Sequence, residues 1–182
     1  MQTNSVIFAH GRESGPWGTK IRALAGVAES LGCRVISRDD SDCHDPEVRV
    51  ARLIDESKTL GGTVVLAGSS MGGYVATVAS QAVRPAGLFL MAPAFGLPGY
   101  AIQAPKPACR ELTVVHGWHD DIIPVETVLD FARSHQAMLH LVPAGHALRE
   151  QVVWLTSIFE LFLTRCMQLD CRPARERLLA TI

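Results

Sequence analysis

Residues 68–72 read Gly-Ser-Ser-Met-Gly, a G-x-S-x-G spacing that sets Ser70 between two residues without side chains. A serine held on a sharp turn from a strand into a helix needs that bareness two places to either side. Taking Ser69 as the centre would put Ala67 and Met71 there, and the pattern fails. A helix opening at Gly72 aims its first amides at the turn, which favours a developing negative charge. The same residues also suit a plainer role, with Ser70 capping the helix. A serine hydroxyl is a weak nucleophile near neutral pH and needs a base. Candidates stand in Pro143-Ala144-Gly145-His146 and in His116-Gly117-Trp118-His119-Asp120-Asp121. These segments offer His146 or His119 as base and Asp120 or Asp121 as the acid that orients it.

Such groups must be brought together by the elements around them. Short apolar runs recur at Val6–Ala9, Cys33–Ser37, Thr63–Ala67, Gly87–Met91, Leu112–His116 and Met138–Val142. They are continuous rather than alternating, as in strands buried on both faces. Helical stretches near Trp17–Leu31, Asp45–Leu60, Gly72–Val83, Val125–Ser134 and Ala147–Leu163 separate or follow them. The last carries Leu148, Val152, Leu155, Phe159 and Phe162 at helical spacing, so one face is core. Strand–helix repetition predicts a parallel sheet with helices on both faces. In such a sheet, reactive groups belong at the carboxyl ends of the strands. There the first strand leads into His10-Gly11-Arg12, the third into the Ser70 turn, the fifth into the Asp120 loop and the sixth into His146. His146 alone follows the final strand, which favours it over His119. The Ile123-Pro124 pair after the aspartates favours Asp120 over Asp121, whose plainer role is charge at a helix start.

With these motifs in view, the chain resembles the α/β-hydrolase family, in particular its small, lid-less bacterial esterase-like members. The resemblance rests on His10-Gly11, Gly68-Ser69-Ser70-Met71-Gly72, His116-Gly117-x-x-Asp120-x-x-Ile123-Pro124 and Gly145-His146, over about residues 5–163. The order Ser70, Asp120, His146 is the one expected of that fold. It implies a three-layer core of about six parallel strands, without the antiparallel strands that usually precede them and without a cap domain. It further implies a Ser-His-Asp triad and an oxyanion hole of backbone amides. Met71, directly after the nucleophile, supplies one amide, and by resemblance Arg12 supplies the other. Trp17, Phe95 and Trp118, with Tyr100, fall in or beside loops at the sheet's carboxyl edge. They either line an acyl pocket or simply pack loops onto the core. Arg12 at the mouth is a weak pointer to an acidic substrate group.

The 182 residues suit a single domain, with a core at about 5–163 and a charged tail at 165–182. Seventeen basic against 18 acidic residues give no electrostatic reason to expect nucleic acid or an anionic membrane as partner. No apolar run reaches the length of a membrane helix, and Val6–Ala9 is too short for a signal peptide. Five scattered cysteines without a CxxC pair predict reduced thiols in a cytoplasmic protein. The loop Asp39-Asp40-Ser41-Asp42 with His44 and Asp45 lacks the glycine and terminal glutamate of a calcium loop, and no metal is expected. His44, His135 and His140 receive no role, and His10 and His116 read as structural. The segment 92–110 holds four prolines and two glycines and predicts an irregular excursion too short for a cap, leaving a shallow, open site. The expected function is hydrolysis of a small-molecule carboxylic ester or thioester with a small acyl group, without a cofactor. The alternatives are acyl transfer or amide and peptide hydrolysis by the same triad, and a binding module of this fold without turnover. A nucleotide-binding domain ranks last, because both glycine-rich phosphate loops are absent.

Overall fold

A computed structural model describes residues 3–171 of the chain. The apolar runs form β1 (Ser5–Ala9), β2 (Arg34–Ser37), β3 (Val64–Ser69), β4 (Gly87–Met91), β5 (Glu111–Gly117) and β6 (Met138–Val142). The helices are α1 (Thr19–Ser30), α2 (Pro46–Ser57), α3 (Met71–Val83), α4 (Val125–His135) and α5 (Val152–Cys171). All six strands are parallel, in the order β2-β1-β3-β4-β5-β6. The chain therefore winds from β1 out to one edge, returns to β3 and proceeds to the other edge. The crevice between the carboxyl ends of β1 and β3 is where the winding reverses, the usual place for a site in such sheets.

Alternate strand residues serve opposite layers, as the period of two requires. Val6 and Phe8 of β1, and Phe89 and Met91 of β4, pack beneath α1 and α5. Ile7, Leu88 and Leu90 face α2, α3 and α4. Burial on both faces holds for the four inner strands, whereas the edge strands β2 and β6 are mostly half-buried. Phe159 on α5 sits within 5.9 Å of the Phe8 ring and 5.0 Å of the Phe89 ring. Gly87 lets α5 come this close, since a Cβ there would run into Cys166 Sγ and the Phe162 ring. At α2, the Asp45 side chain accepts from the amides of Glu47 and Val48, with Pro46 opening the helix.

The terminal helix differs from the expected Ala147–Leu163. Leu148 adopts a left-handed backbone, φ 53°, which stops a helix from starting there. A 3-10 turn at Arg149–Gln151 follows, and α5 then runs to Cys171. Part of the expected tail is thus helix, and residues 172–182 lie outside the described residues. The excursion at 92–110 has no regular element, as expected, yet it is anchored. Tyr74 of α3 donates to Glu47 (2.5 Å) and accepts from the Ile102 amide (3.1 Å), and Ser80 accepts from the Ala108 amide. Among the described residues no helix is long and apolar enough to cross a membrane. Cys33, Cys43, Cys109 and Cys166 are free thiols.

Phe159 is fully buried between two core strands and Phe162. Phe159→Ala is expected to cost about 3–5 kcal/mol, from lost transfer energy and the cavity left behind, read by urea unfolding.

Candidate active site

Ser70 joins β3 to α3 with φ 55° and ψ −121°, a backbone that side chains rarely adopt. Several short contacts hold it there. Its amide donates to the Met91 carbonyl (3.0 Å), and its carbonyl accepts from the amides of Gly73 (2.8 Å) and Ala94 (3.0 Å). The flanking glycines are needed for close backbone approach. A Cβ on Gly68 would meet the Gly72 carbonyl, and one on Gly72 would meet the Ala9 carbonyl at the end of β1. No side-chain cap is made by Ser70, so the plainer capping role does not apply.

The structure brings Ser70, His146 and Asp120 into one hydrogen-bonded row. Ser70 Oγ lies 2.9 Å from His146 Nε2, and His146 Nδ1 lies 2.8 Å from Asp120 Oδ2. The Asp120 carboxylate only accepts, so Nδ1 carries the proton and Nε2 is left to accept from the Ser70 hydroxyl. The Asp120 side chain is fully buried, and its other oxygen accepts from the amides of Ile122 (2.9 Å) and Ile123 (2.8 Å). The rivals stand aside. His119 is exposed, with its amide tied to the Ala144 carbonyl, and Asp121 is exposed. His116 lies beneath, its Nε2 donating to the Ile123 carbonyl (3.1 Å) and 3.5 Å from Asp120 Oδ2. Burial lowers its pKa, against the pull of Asp120. Held neutral with its proton on Nε2, it leaves Nδ1 without a partner.

Behind the first loop sits Arg49 of α2, 2 % exposed. It donates to four backbone carbonyls, those of Cys43 (2.6 Å), Asp40 (2.8 Å), His10 (3.2 Å) and Gly11 (3.4 Å). His10 Nδ1 also reaches the Gly11 carbonyl at 2.7 Å, while its Nε2 accepts from the Asp40 amide at 3.0 Å. His10 is therefore the neutral tautomer protonated on Nδ1. A trans peptide points its C=O and N–H in opposite directions. Pinning the Gly11 carbonyl on Arg49 and His10 thus turns the Arg12 amide the other way. Neither the Arg12 amide nor the Met71 amide donates to another group among the described residues. Sequence reasoning missed Arg49, although a signal existed. Pro46, Arg49, Val50 and Leu53 form the buried stripe of α2, and an arginine on an apolar stripe must find acceptors inside.

A cavity of about 660 Å³ opens over Ser70 and His146. Gly11, Arg12, Lys20, Leu97, Tyr100 and Ile122 are among the residues that line it. This volume is well within the range for small-ligand sites, so the excursion at 92–110 builds more wall than the shallow site expected. Of the aromatic residues weighed for the pocket, only Tyr100 lines it. Phe95 turns down into the core, 4.4 Å from the Phe131 ring. Trp17 and Trp118 point to solvent, 42 % and 52 % exposed. Position near the sheet edge did not reveal side-chain direction. The acidic loop is internally paired. Asp40 bridges Arg38 and Arg52, Asp42 meets Arg52, Asp39 accepts from Ser41, and Asp45 caps α2.

Residues 6–180 match the sequence profile of the alpha/beta hydrolase family. No match is found among curated proteins. Among solved structures, a protein from Xanthomonas campestris pv. campestris described as a hydrolase of the alpha/beta superfamily is 36% identical, with a TM-score of 0.84 over 91% of this chain and 99% of that one. A second protein from Xanthomonas campestris, an α/β serine hydrolase without a lid, shares the fold at 21% identity and TM-score 0.69, covering 90% and 82%. Est1E from Butyrivibrio proteoclasticus does so at 16% identity and TM-score 0.74, covering 92% and 89%. With its elbow serine, parallel sheet and family match across nearly the whole length, this chain belongs to the α/β hydrolase family.

Proposed function

We propose that the protein is a serine hydrolase that cleaves carboxylic esters or thioesters through an acyl-enzyme. The row Asp120–His146–Ser70, with contacts of 2.8 and 2.9 Å, carries this reading. Ser70 Oγ attacks the substrate carbonyl carbon while His146 Nε2 takes the hydroxyl proton. Asp120 holds the imidazole with its proton on Nδ1 and stabilises the imidazolium that forms. The oxyanion is received by the amides of Met71 and Arg12. His146 then passes its proton to the leaving alcohol or thiol, and the carbon–heteroatom bond breaks. Water enters, gives its proton to His146 and attacks the acyl carbon. Collapse of that second intermediate returns the proton to Ser70 Oγ and releases the acid. Every step uses side chains and amides already in place. The cavity of about 660 Å³ suits a small acyl group. The free thiols fit a cytoplasmic protein, and a small-molecule substrate is the proposed partner.

A fluorophosphonate probe, mapped by intact mass and peptide digestion, is expected to form one adduct on Ser70, absent in Ser70→Ala and much slowed in His146→Ala. Lack of any adduct on folded protein would refute the hydrolase reading. Asp120→Asn is expected to leave the fold intact and lower kcat on a nitrophenyl ester roughly 10⁴-fold, because the wrong histidine tautomer is favoured. Arg49→Met removes a donor from four carbonyls, of which Gly11 keeps His10 Nδ1 and Asp40 keeps the Cys43 amide, at a cost of about 2–4 kcal/mol in stability. In the protein that still folds, kcat is expected to fall about 100-fold with little change in KM, the signature of a displaced oxyanion donor.

A further inference from the structure

Positive charge outweighs negative in the lining of the cavity. Arg12, Lys20 and Arg149 line it, and Glu13 is the carboxylate among the residues at its rim. Glu13 meets Arg12 at 3.5 Å, with both side chains mostly exposed, so it neutralises little. Lys20 stands at the second position of α1, and its ammonium forms no hydrogen bond or ion pair among the described residues. The charged groups that act on it most are Asp120 and Arg149. Asp120 is already engaged by His146 and two amides. Arg149 likewise forms no ion pair among the described residues. A half-buried ammonium and an unpaired guanidinium thus face the same space as the Ser70 hydroxyl and His146. The same lining includes the apolar side chains of Met71, Leu97 and Ile122 and the methyl of Ala94.

Resting on the hydrolase reading, we infer that the cavity selects substrates that carry an anionic group, a carboxylate or phosphate, held by Lys20 with Arg149 and Arg12. The substrate is an ester or thioester with an apolar stretch and a negative end. A short dicarboxylic acid esterified at one end fits this description, as does an ester with an anionic leaving group. Burial pushes the Lys20 pKa down to about 8, so the empty protein meets part of the cost of desolvating the ammonium before the anion arrives. An incoming anion supplies the charge partner that Lys20 lacks.

The test uses matched pairs of chromogenic esters. Mono-4-nitrophenyl glutarate against 4-nitrophenyl pentanoate places the charge on the acyl side. 3-Carboxy-4-nitrophenyl butyrate against 4-nitrophenyl butyrate places it on the leaving group. The readout is the ratio of kcat/KM for the anionic over the neutral member, compared between proteins so that intrinsic reactivity cancels. In Lys20→Met this ratio is expected to fall at least tenfold for one pair, which identifies the end that carries the charge. Lys20→Arg keeps it. In the wild-type protein the ratio is expected to decline as pH rises through about 8, because Lys20 loses its proton while Arg12 and Arg149 keep theirs. Effects on the chemical step common to both members of a pair drop out of the ratio. A ratio unchanged in Lys20→Met for both pairs overturns the inference. If no ester turns over and Ser70 takes no label, the hydrolase reading fails separately. The anion site is then read in Ser70→Ala by NMR titration with monomethyl glutarate and dimethyl glutarate. At least tenfold tighter binding of the charged ligand, lost on adding Lys20→Met, supports the site, and equal or absent binding overturns it.

Discussion

The site depends on one strained residue at a crowded crossing of backbones. Ser70 takes a left-handed conformation worth about 1–3 kcal/mol of strain, and the surroundings hold it there. Its amide is spent on β4 and its carbonyl on Gly73 and Ala94. The crossing leaves no room for side chains at Gly68 and Gly72, which pass against the Gly72 and Ala9 carbonyls. Gly73 adds a third such approach, against Pro93. These contacts place the hydroxyl above the sheet and start α3 at Met71, whose amide is then left without a partner among the described residues. The strain, the bare glycines and the unspent amide are one arrangement.

Around that crossing, neighbouring loops brace one another: the Ser70 carbonyl accepts from the Ala94 amide and the His119 amide donates to the Ala144 carbonyl. Asp120 is held by the two amides that follow it, beside β5. His146 precedes a left-handed Leu148 whose amide returns to the Gly145 carbonyl (3.1 Å), closing a turn ahead of α5. The loop after β1 is fastened from behind by Arg49 and His10. Anchoring both within loops and between them explains how a short chain presents three groups to one point. It also explains why a buried arginine is tolerated. Four carbonyls share its protons, so the cost of burying the charge is met by charge-assisted hydrogen bonds.

What was legible in the sequence followed from backbone rules. Gly87–Met91 and Met138–Val142 were read to the residue, because an apolar run flanked by turn residues has little choice of register. Ser70, Asp120 and His146 were legible because glycine spacing and strand ends constrain position. Side-chain direction was not. Phe95 follows Pro93 at the sheet edge, yet it turns into the core against Phe131, while Trp17 and Trp118 turn outward. No periodicity governs irregular backbone, so aromatic content alone could not separate pocket from packing. Leu148 fitted the helical stripe but bent backward to close the turn after His146, a tertiary demand that overrode its propensity. Arg49 lay in plain view on the stripe of α2, and its carbonyl partners became apparent only once the loops at 10–11 and 40–43 folded against it.

The cavity joins these features through the two halves of the sheet. Its apolar wall comes from the segment after β4, which Tyr74 and Ser80 of α3 fasten by two amide hydrogen bonds. Its cationic side comes from the opposite layer, the start of α1 and the turn before α5. The crevice between β1 and β3 lies where these layers part, so a ligand there meets both at once. Charge on that side then has two effects. In the proposed reaction it orients the anionic end of the substrate, and the Lys20 ammonium interacts with Asp120, the proposed counter-charge of the imidazolium.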